Sequence, residues 1–96
     1  MTDRTDFLIW AAKLGLDKDL DVLVYDPSPA VRQAVAWHGR DKDLDILVND
    51  KSASVRRVVA WYGRDKDLDK LVSDPDADVR AEAQRQLRFL QRWRTK

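Results

Sequence analysis

The sequence predicts an all-α fold, a short array of stacked helix pairs, and three observations carry that reading. A 24-residue unit recurs in register at 17–40, 41–64 and 65–88, with no insertion or deletion. Inside each unit the apolar residues keep the i, i+3, i+4 spacing of helices, and no alternating run bounded by hairpin turns signals a strand. Glycines that suit the left-handed end of a helix close the first two units, at Gly39 and Gly63. A helix pair this small has an apolar face it cannot cover alone. Stacking on the next pair covers it, which is the logic of a solenoid.

The elements follow in order. Residues 6–16 are a truncated copy: Phe7 stands at the place of Val31, Ala11-Ala12 at Val35-Ala36 and Gly15 at Gly39. They predict a long helix over about residues 6–14, with Phe7 and Trp10 closing that end of the stack. Each unit then opens Asp-Lys-Asp-Leu-Asp, at Asp17, Asp41 and Asp65. The first Asp is placed as an N-cap, with further carboxylates in the first turn, where the helix dipole favours them. Leu44, Leu47 and Val48 share one face, so this is a helix of about two turns, α-helical or partly 3₁₀. The second half of each unit starts at a cap residue, Ser28, Ser52 or Asp76, with Pro29 at the first helical position of the first copy. Val31, Ala34, Val35 and His38 then lie on one face of a longer helix. In the third unit Leu87 replaces the glycine. The last helix therefore runs on from about residue 77, with Val79, Ala83, Leu87, Leu90 and Trp93 as a continued inner stripe and 89–96 as a helical extension.

Composition bounds what such an array can do. Ninety-six residues allow one domain, 1–96. Eighteen Lys+Arg face 17 Asp+Glu, for a formal charge of +1, which excludes a polycation or a polyanionic nucleic-acid mimic by net charge. Without cysteine there is no disulfide framework, thiolate metal site or Cys nucleophile. The apolar runs are too short to cross a membrane, and Met1–Asp6 lacks the basic start and apolar stretch of a signal peptide. A cytoplasmic protein is the expectation.

The pattern Leu-Val-x-Asp-Pro-x-x-x-Val-Arg-x-x-Val-Ala, and its third copy Leu71-Val72-Ser73-Asp74-Pro75-Asp76-Ala77-Asp78-Val79-Arg80, resembles the leucine-rich variant repeat, a relative of HEAT repeats. The resemblance covers residues 7 to about 90. It implies a short right-handed superhelical solenoid of alternating short and longer helices that acts as an interaction scaffold. Some HEAT-like relatives grip DNA along a basic concave face. The iron–sulfur cluster of the best-known leucine-rich variant protein sits on cysteines, and none exists here, so no cofactor carries over.

In an array, positions identical in every unit serve the fold, and positions that vary are free to bind. By that test Asp26/Asp50/Asp74 and Arg32/Arg56/Arg80 are structural: each Arg reaches the preceding Asp or an orphan carbonyl at the end of a short helix. The alternative is an arginine row for phosphates. The nine aspartates of the Asp-Lys-Asp-Leu-Asp ridge read as capping and solvated residues, or as a docking strip for a basic partner. As a calcium loop the ridge lacks the glycine and the closing glutamate, and no metal site is expected. The varying positions are Gln33/Arg57/Ala81, Trp37/Trp61/Arg85 and His38/Tyr62/Gln86. Trp37 and Trp61 should lie one above the other, either packed between repeats or presented with Arg85 as anchors for a protein partner. His38 reads either as hydrogen-bonded structure or as a functional histidine.

The C-terminal stretch holds six basic residues, Arg80, Arg85, Arg88, Arg92, Arg94 and Lys96, against one acid, Glu82, with Phe89 and Trp93 among them. It reads as a solubilising cap, or together with Arg57 and Arg64 as a surface that tracks a nucleic-acid backbone. No phosphate loop, nucleophile elbow or paired His–carboxylate spacing is present, and three near-identical copies suit one asymmetric active site poorly. The expected function is therefore non-catalytic protein–protein interaction through the variable face. Nucleic-acid binding, or inhibition of a larger nucleic-acid enzyme, is the alternative.

Overall fold

A computed structural model describes residues 4–94. The chain is all-α, and its helices are α1 (Arg4–Leu14), α2 (Asp17–Leu23), α3 (Pro29–His38), α4 (Asp41–Leu47), α5 (Ala53–Tyr62), α6 (Asp65–Leu71) and α7 (Ala77–Arg94). The short helices α2, α4 and α6 begin 24 residues apart, like the sequence units. The long helices pack in succession, α1 on α3, α3 on α5 and α5 on α7. Each short helix lies against the long helices that flank it in the chain. The body measures 50 × 26 × 21 Å.

The core runs the length of this body as repeated layers. Leu20, Leu44 and Leu68 are buried at one position of the short helices, and Leu23, Leu47 and Leu71 at another. Val31, Val55 and Val79 meet them from the long helices, joined by Val35, Val59 and Ala83. Each buried Leu or Val contributes about 1.5–3 kcal/mol by leaving water. The short helices, each of seven residues, could not stand alone and depend on this packing.

The helix ends depart from the sequence reading in several ways. The short helices are α-helical, with i→i+3 bonds only at their ends, such as Asp26 N–H to Leu23 O. Asp17, Asp41 and Asp65 are the first helical residues rather than caps. The cap positions belong to Leu16, Arg40 and Arg64, which make no side-chain cap bond. Ser28 and Ser52 occupy the cap positions of α3 and α5, and their hydroxyls do not cap either. The turn is held from two residues earlier: the carboxylates of Asp26, Asp50 and Asp74 accept the N–H of Ser28, Ser52 and Asp76 at 2.8–2.9 Å. Asp76 does cap, accepting from Asp78 N–H at 2.9 Å and Val79 N–H at 3.0 Å. Pro29 starts α3, and Gly39 and Gly63 end α3 and α5 at φ 79° and 71°. Phe7 and Trp10 do not close the first end; both are largely exposed, while Leu8, Ile9 and Ala11 pack on the core around buried Ala12. At the other end Leu87 and Leu90 continue the inner stripe, whereas Trp93 is exposed and pairs with Phe89.

Candidate groove on the long helices

Two sets of charged residues lock neighbouring units together, and they decide which side chains remain for anything else. Arg32 donates from Nε and Nη2 to Asp50 at 2.7 and 3.2 Å, and from Nη1 to the carbonyls of Asp26 and Pro27 at 2.7 and 3.0 Å. Arg56 does the same with Asp74, at 2.8 and 3.2 Å, and with Asp50 O at 2.6 Å. The carboxylate partner is therefore the Asp of the following unit rather than the preceding Asp of the same unit, which supplies only its carbonyl. Arg80 keeps the carbonyl half, with Asp74 O at 2.7 Å and Pro75 O at 3.0 Å. These guanidinium and carboxylate groups are almost dry: the Arg32 and Asp50 side chains are 7% and 8% exposed. Burial alone would raise the Asp74 pKa, but the Arg56 bonds and the Asp76 N–H outweigh it, and Asp74 titrates below the usual carboxylate range.

The second lock joins the short helices. Arg40 grips Asp43 at 2.8 and 3.0 Å and reaches back to Asp17 O at 3.1 Å and Asp21 at 2.8 Å. Arg64 repeats this with Asp67, Asp41 O and Asp45. Lys42 and Lys66 add ion pairs to Asp21 and Asp45, both at 2.7 Å. Asp21 and Asp45 titrate below their ordinary value because Lys42 with Arg40, and Lys66 with Arg64, bond to them. Six of the nine ridge aspartates, Asp17, Asp21, Asp41, Asp43, Asp45 and Asp67, thus pair with the clamp arginines. Arg64, expected as a phosphate contact, is one of them. Among the described residues no group of three or more His and carboxylate side chains could hold a metal ion.

His38 and Tyr62, expected on the binding face, lie at the seam between units. A Cβ on Gly15 would fall 1.8 Å from His38 Nε2, and one on Gly39 would fall 2.5 Å from the Tyr62 ring. The Tyr62 hydroxyl donates to Trp37 O. Gln86 lies over Gly63 more loosely: a Cβ there would be in ordinary contact with it, at 3.7 Å. The glycines thus serve twice: they permit the positive φ, and they leave room for the next unit's side chain.

The remaining variable residues, Ala81 apart, come together. Gln33 on α3, Arg57 on α5 and Arg85 on α7 line one groove with Trp37 and Trp61. Its volume is about 450 Å³. Trp37 and Trp61 are 47% and 45% exposed, and their rings meet edge to face with centroids 4.9 Å apart. The pair is neither buried between repeats nor fully free: one part of each ring packs on its neighbour and the rest forms the groove wall. Val58 contributes apolar lining, and Asp76, Asp78 and Glu82 bring carboxylates from the start of α7. Glu82 is buried and was not singled out from the sequence. The signal was there, a charge at a position that is Ala34 and Val58 in the earlier units. Burial opposes its ionisation, but Arg85 at 2.8 and 2.9 Å and Gln86 at 3.1 Å more than compensate, so Glu82 titrates below its ordinary value.

Of the basic residues expected to meet nucleic acid, Arg85 is held by Glu82 and Arg64 by the clamp, while Arg57, Arg88 and Arg92 are exposed. The Arg94 side chain lies outside the described residues. Among the described residues no helix is long and apolar enough to cross a membrane. No protein-family model matches the sequence, and neither a curated protein nor a solved structure matches the chain.

Proposed function

We propose that the protein is a non-catalytic interaction module of the leucine-rich variant and HEAT-like kind, a right-handed superhelical stack acting in the cytoplasm. It takes a segment of a protein partner into the groove across α3, α5 and α7. One observation carries this reading: Trp37 and Trp61 stand half-exposed over a groove lined by Gln33, Arg57 and Arg85, all at positions that differ from unit to unit. Half-exposed tryptophans beside a concavity are the usual anchors of protein interfaces, where Trp and Arg dominate the binding energy. The surrounding groups suit a partner with an apolar anchor and mixed polar flanks, because Arg57 and Arg85 alternate with Asp76, Asp78 and Glu82. A non-catalytic role accords with the charged groups of the two clamps, which are engaged in holding units together.

The test is capture from host lysate at moderate salt, with and without nuclease, by wild type and by Trp37→Ala and Trp61→Ala. The reading predicts a protein captured regardless of nuclease and lost with either substitution. Capture that needs nucleic acid, falls steeply with salt and survives both substitutions would favour the exposed arginines Arg57, Arg88 and Arg92 instead.

A further inference from the structure

The groove on α3, α5 and α7 carries charges of both signs, and bonds within the chain remove most of them from what an occupant would meet. Arg85 is closed on Glu82, with Nη2 at 2.8 and 2.9 Å from the two carboxylate oxygens and Nε at 3.3 Å from one of them. Gln86 donates to the same carboxylate at 3.1 Å, and Glu82 is buried, so its charge is spent inside the wall. Asp76 uses Oδ1 to accept the N–H groups of Asp78 and Val79, at 2.9 and 3.0 Å. Arg57 is different. It lines the groove, is exposed and, among the described residues, makes no hydrogen bond or ion pair. Its predecessor on α5, Arg56, holds Asp74, and Arg32 on α3 holds Asp50. Gln33, at the place of Arg57 one unit earlier, also keeps its side-chain amide unbonded among the described residues.

Position along the helices sorts these groups further. Equivalent residues of successive units form rows across the groove. Trp37 and Trp61 make one such row, with ring centroids 4.9 Å apart, and Arg85 is its third member. Gln33 and Arg57 make the next row, four residues earlier on each helix, which is a rise of about 6 Å. The third place in that row is Ala81, which has no group to pair with Arg57. Asp78, the exposed carboxylate, stands at the place of Ser54, seven residues before Arg85 and so about 10 Å along the helix from the ring row. The open charge nearest the rings is therefore a cation, with an amide donor beside it.

Taking the groove as the binding site, we propose that its occupant is an acidic segment of a protein, with a large apolar side chain on the Trp37–Trp61 pair and a carboxylate on Arg57, two residues apart in an extended chain. Side chains on one side of an extended chain recur every second residue, about 6.7 Å apart, which matches the helical turn between the two rows. A guanidinium takes a carboxylate through two parallel N–H···O bonds, and the Gln33 amide adds a further donor. The pair would form beside the rings and Val58, where water is partly excluded and the charge-assisted bonds are strengthened. A basic side chain in the same place would meet Arg57 and be repelled, and a neutral one would leave Arg57 unused, so Arg57 sets the sign of the segment. The Glu82–Arg85 pair is neutral as a unit and does not oppose it.

Random dodecapeptides displayed on phage and selected on the immobilised full chain test this with no partner in hand. Wild type should enrich a large apolar residue with Asp or Glu two positions away. Arg57→Glu alters an exposed side chain that holds nothing in the fold, so the far-UV circular dichroism should not change. Selection on that variant should keep the apolar residue and turn the acidic preference to Lys or Arg. A synthetic peptide of the wild-type consensus should bind Arg57→Glu about tenfold or more weakly, and Arg57→Lys with a smaller loss. Enriched peptides that need Trp37 and Trp61 but carry no acid at that spacing, or a consensus unchanged by Arg57→Glu, would overturn the acidic occupant and leave the groove standing as the site. No enrichment, or enriched peptides indifferent to both Trp37→Ala and Trp61→Ala, would overturn the groove itself and the acidic occupant with it.

Discussion

The short-helix edge and the outer face of the long helices have the same number of copies and opposite fates. Along the edge the repeated residues are nearly identical, and the repeated arginines each have a carboxylate partner in the next unit: Arg32 with Asp50, Arg56 with Asp74, Arg40 with Asp43 and Arg64 with Asp67. On the outer face the copies differ, and the rings and guanidinium groups border an open groove. Identity between units marks what every junction needs, while the positions that differ either line the groove or, as with His38, Tyr62 and Gln86, meet the preceding unit's glycine with a different side chain at each seam. On the proposed function, the clamps carry stability and the groove side chains carry recognition.

That separation is most exposed at Arg32. Arg32→Ala strands the nearly dry carboxylate of Asp50 and should destabilise the fold by about 3–5 kcal/mol in urea titration. It should also uncouple the first unit from the second, seen as a broadened transition. Gly39→Ala comes next. The left-handed φ of 79° costs a residue with a Cβ about 1–2 kcal/mol, and the new methyl would also meet the Tyr62 ring, which is held by its bond to Trp37 O. Gly63→Ala carries the φ cost with only ordinary contact to Gln86, so its melting temperature should fall less than that of Gly39→Ala. Equal losses would show that the tyrosine seam adds nothing.

Acid should weaken the clamps and the Glu82–Arg85 pair of the groove alike. Asp21, Asp45, Asp74 and Glu82 all titrate lower in the folded chain than their ordinary values. The unfolded chain therefore binds protons more readily. The stabilisation is complete above the ordinary carboxylate range and is lost as pH falls through about 4 and below. Thermal melts from pH 7 to 3 should decline only at the acid end. In a Glu82→Gln variant that decline should be shallower. The smallest effect belongs to Lys42→Ala at neutral pH, because its pair with Asp21 lies in water, and its melting temperature should stay within error of wild type.

How much of this was readable in the residues alone follows from the repeat itself. The helices, their order, the glycine stops and the core stripe come from local spacing, and the structure places them at Val31, Val35, Leu44 and Leu47 as that spacing requires. Periodicity is silent on direction, however. Asp26 and Asp50 are equivalent copies, so nothing in the string says that Arg32 takes its carboxylate from ahead and its carbonyl from behind. The caps were misplaced for a related reason: Asp suits both the cap and the first turn, and Arg40 and Arg64 had a stronger use one residue earlier. His38 and Tyr62 looked like free variable positions because the test of variation cannot see a glycine in the neighbouring unit. Phe7 and Trp10 read as a cap closing the first end because their counterparts Val31 and Ala34 are core. What differs is the absence, in the described structure, of another helix beside α1 on that side.

Equilibrium unfolding of Arg56→Ala and Trp61→Ala, measured side by side in urea, tests the division of labour most directly. Both residues lie on α5, one inside the clamp to Asp74 and the other on the groove wall. The account predicts a loss of several kcal/mol for Arg56→Ala, and about 1 kcal/mol for Trp61→Ala from its half-exposed ring pair. A Trp61→Ala loss as large as that of Arg56→Ala would mean that the tryptophans hold the units together, and would contradict it.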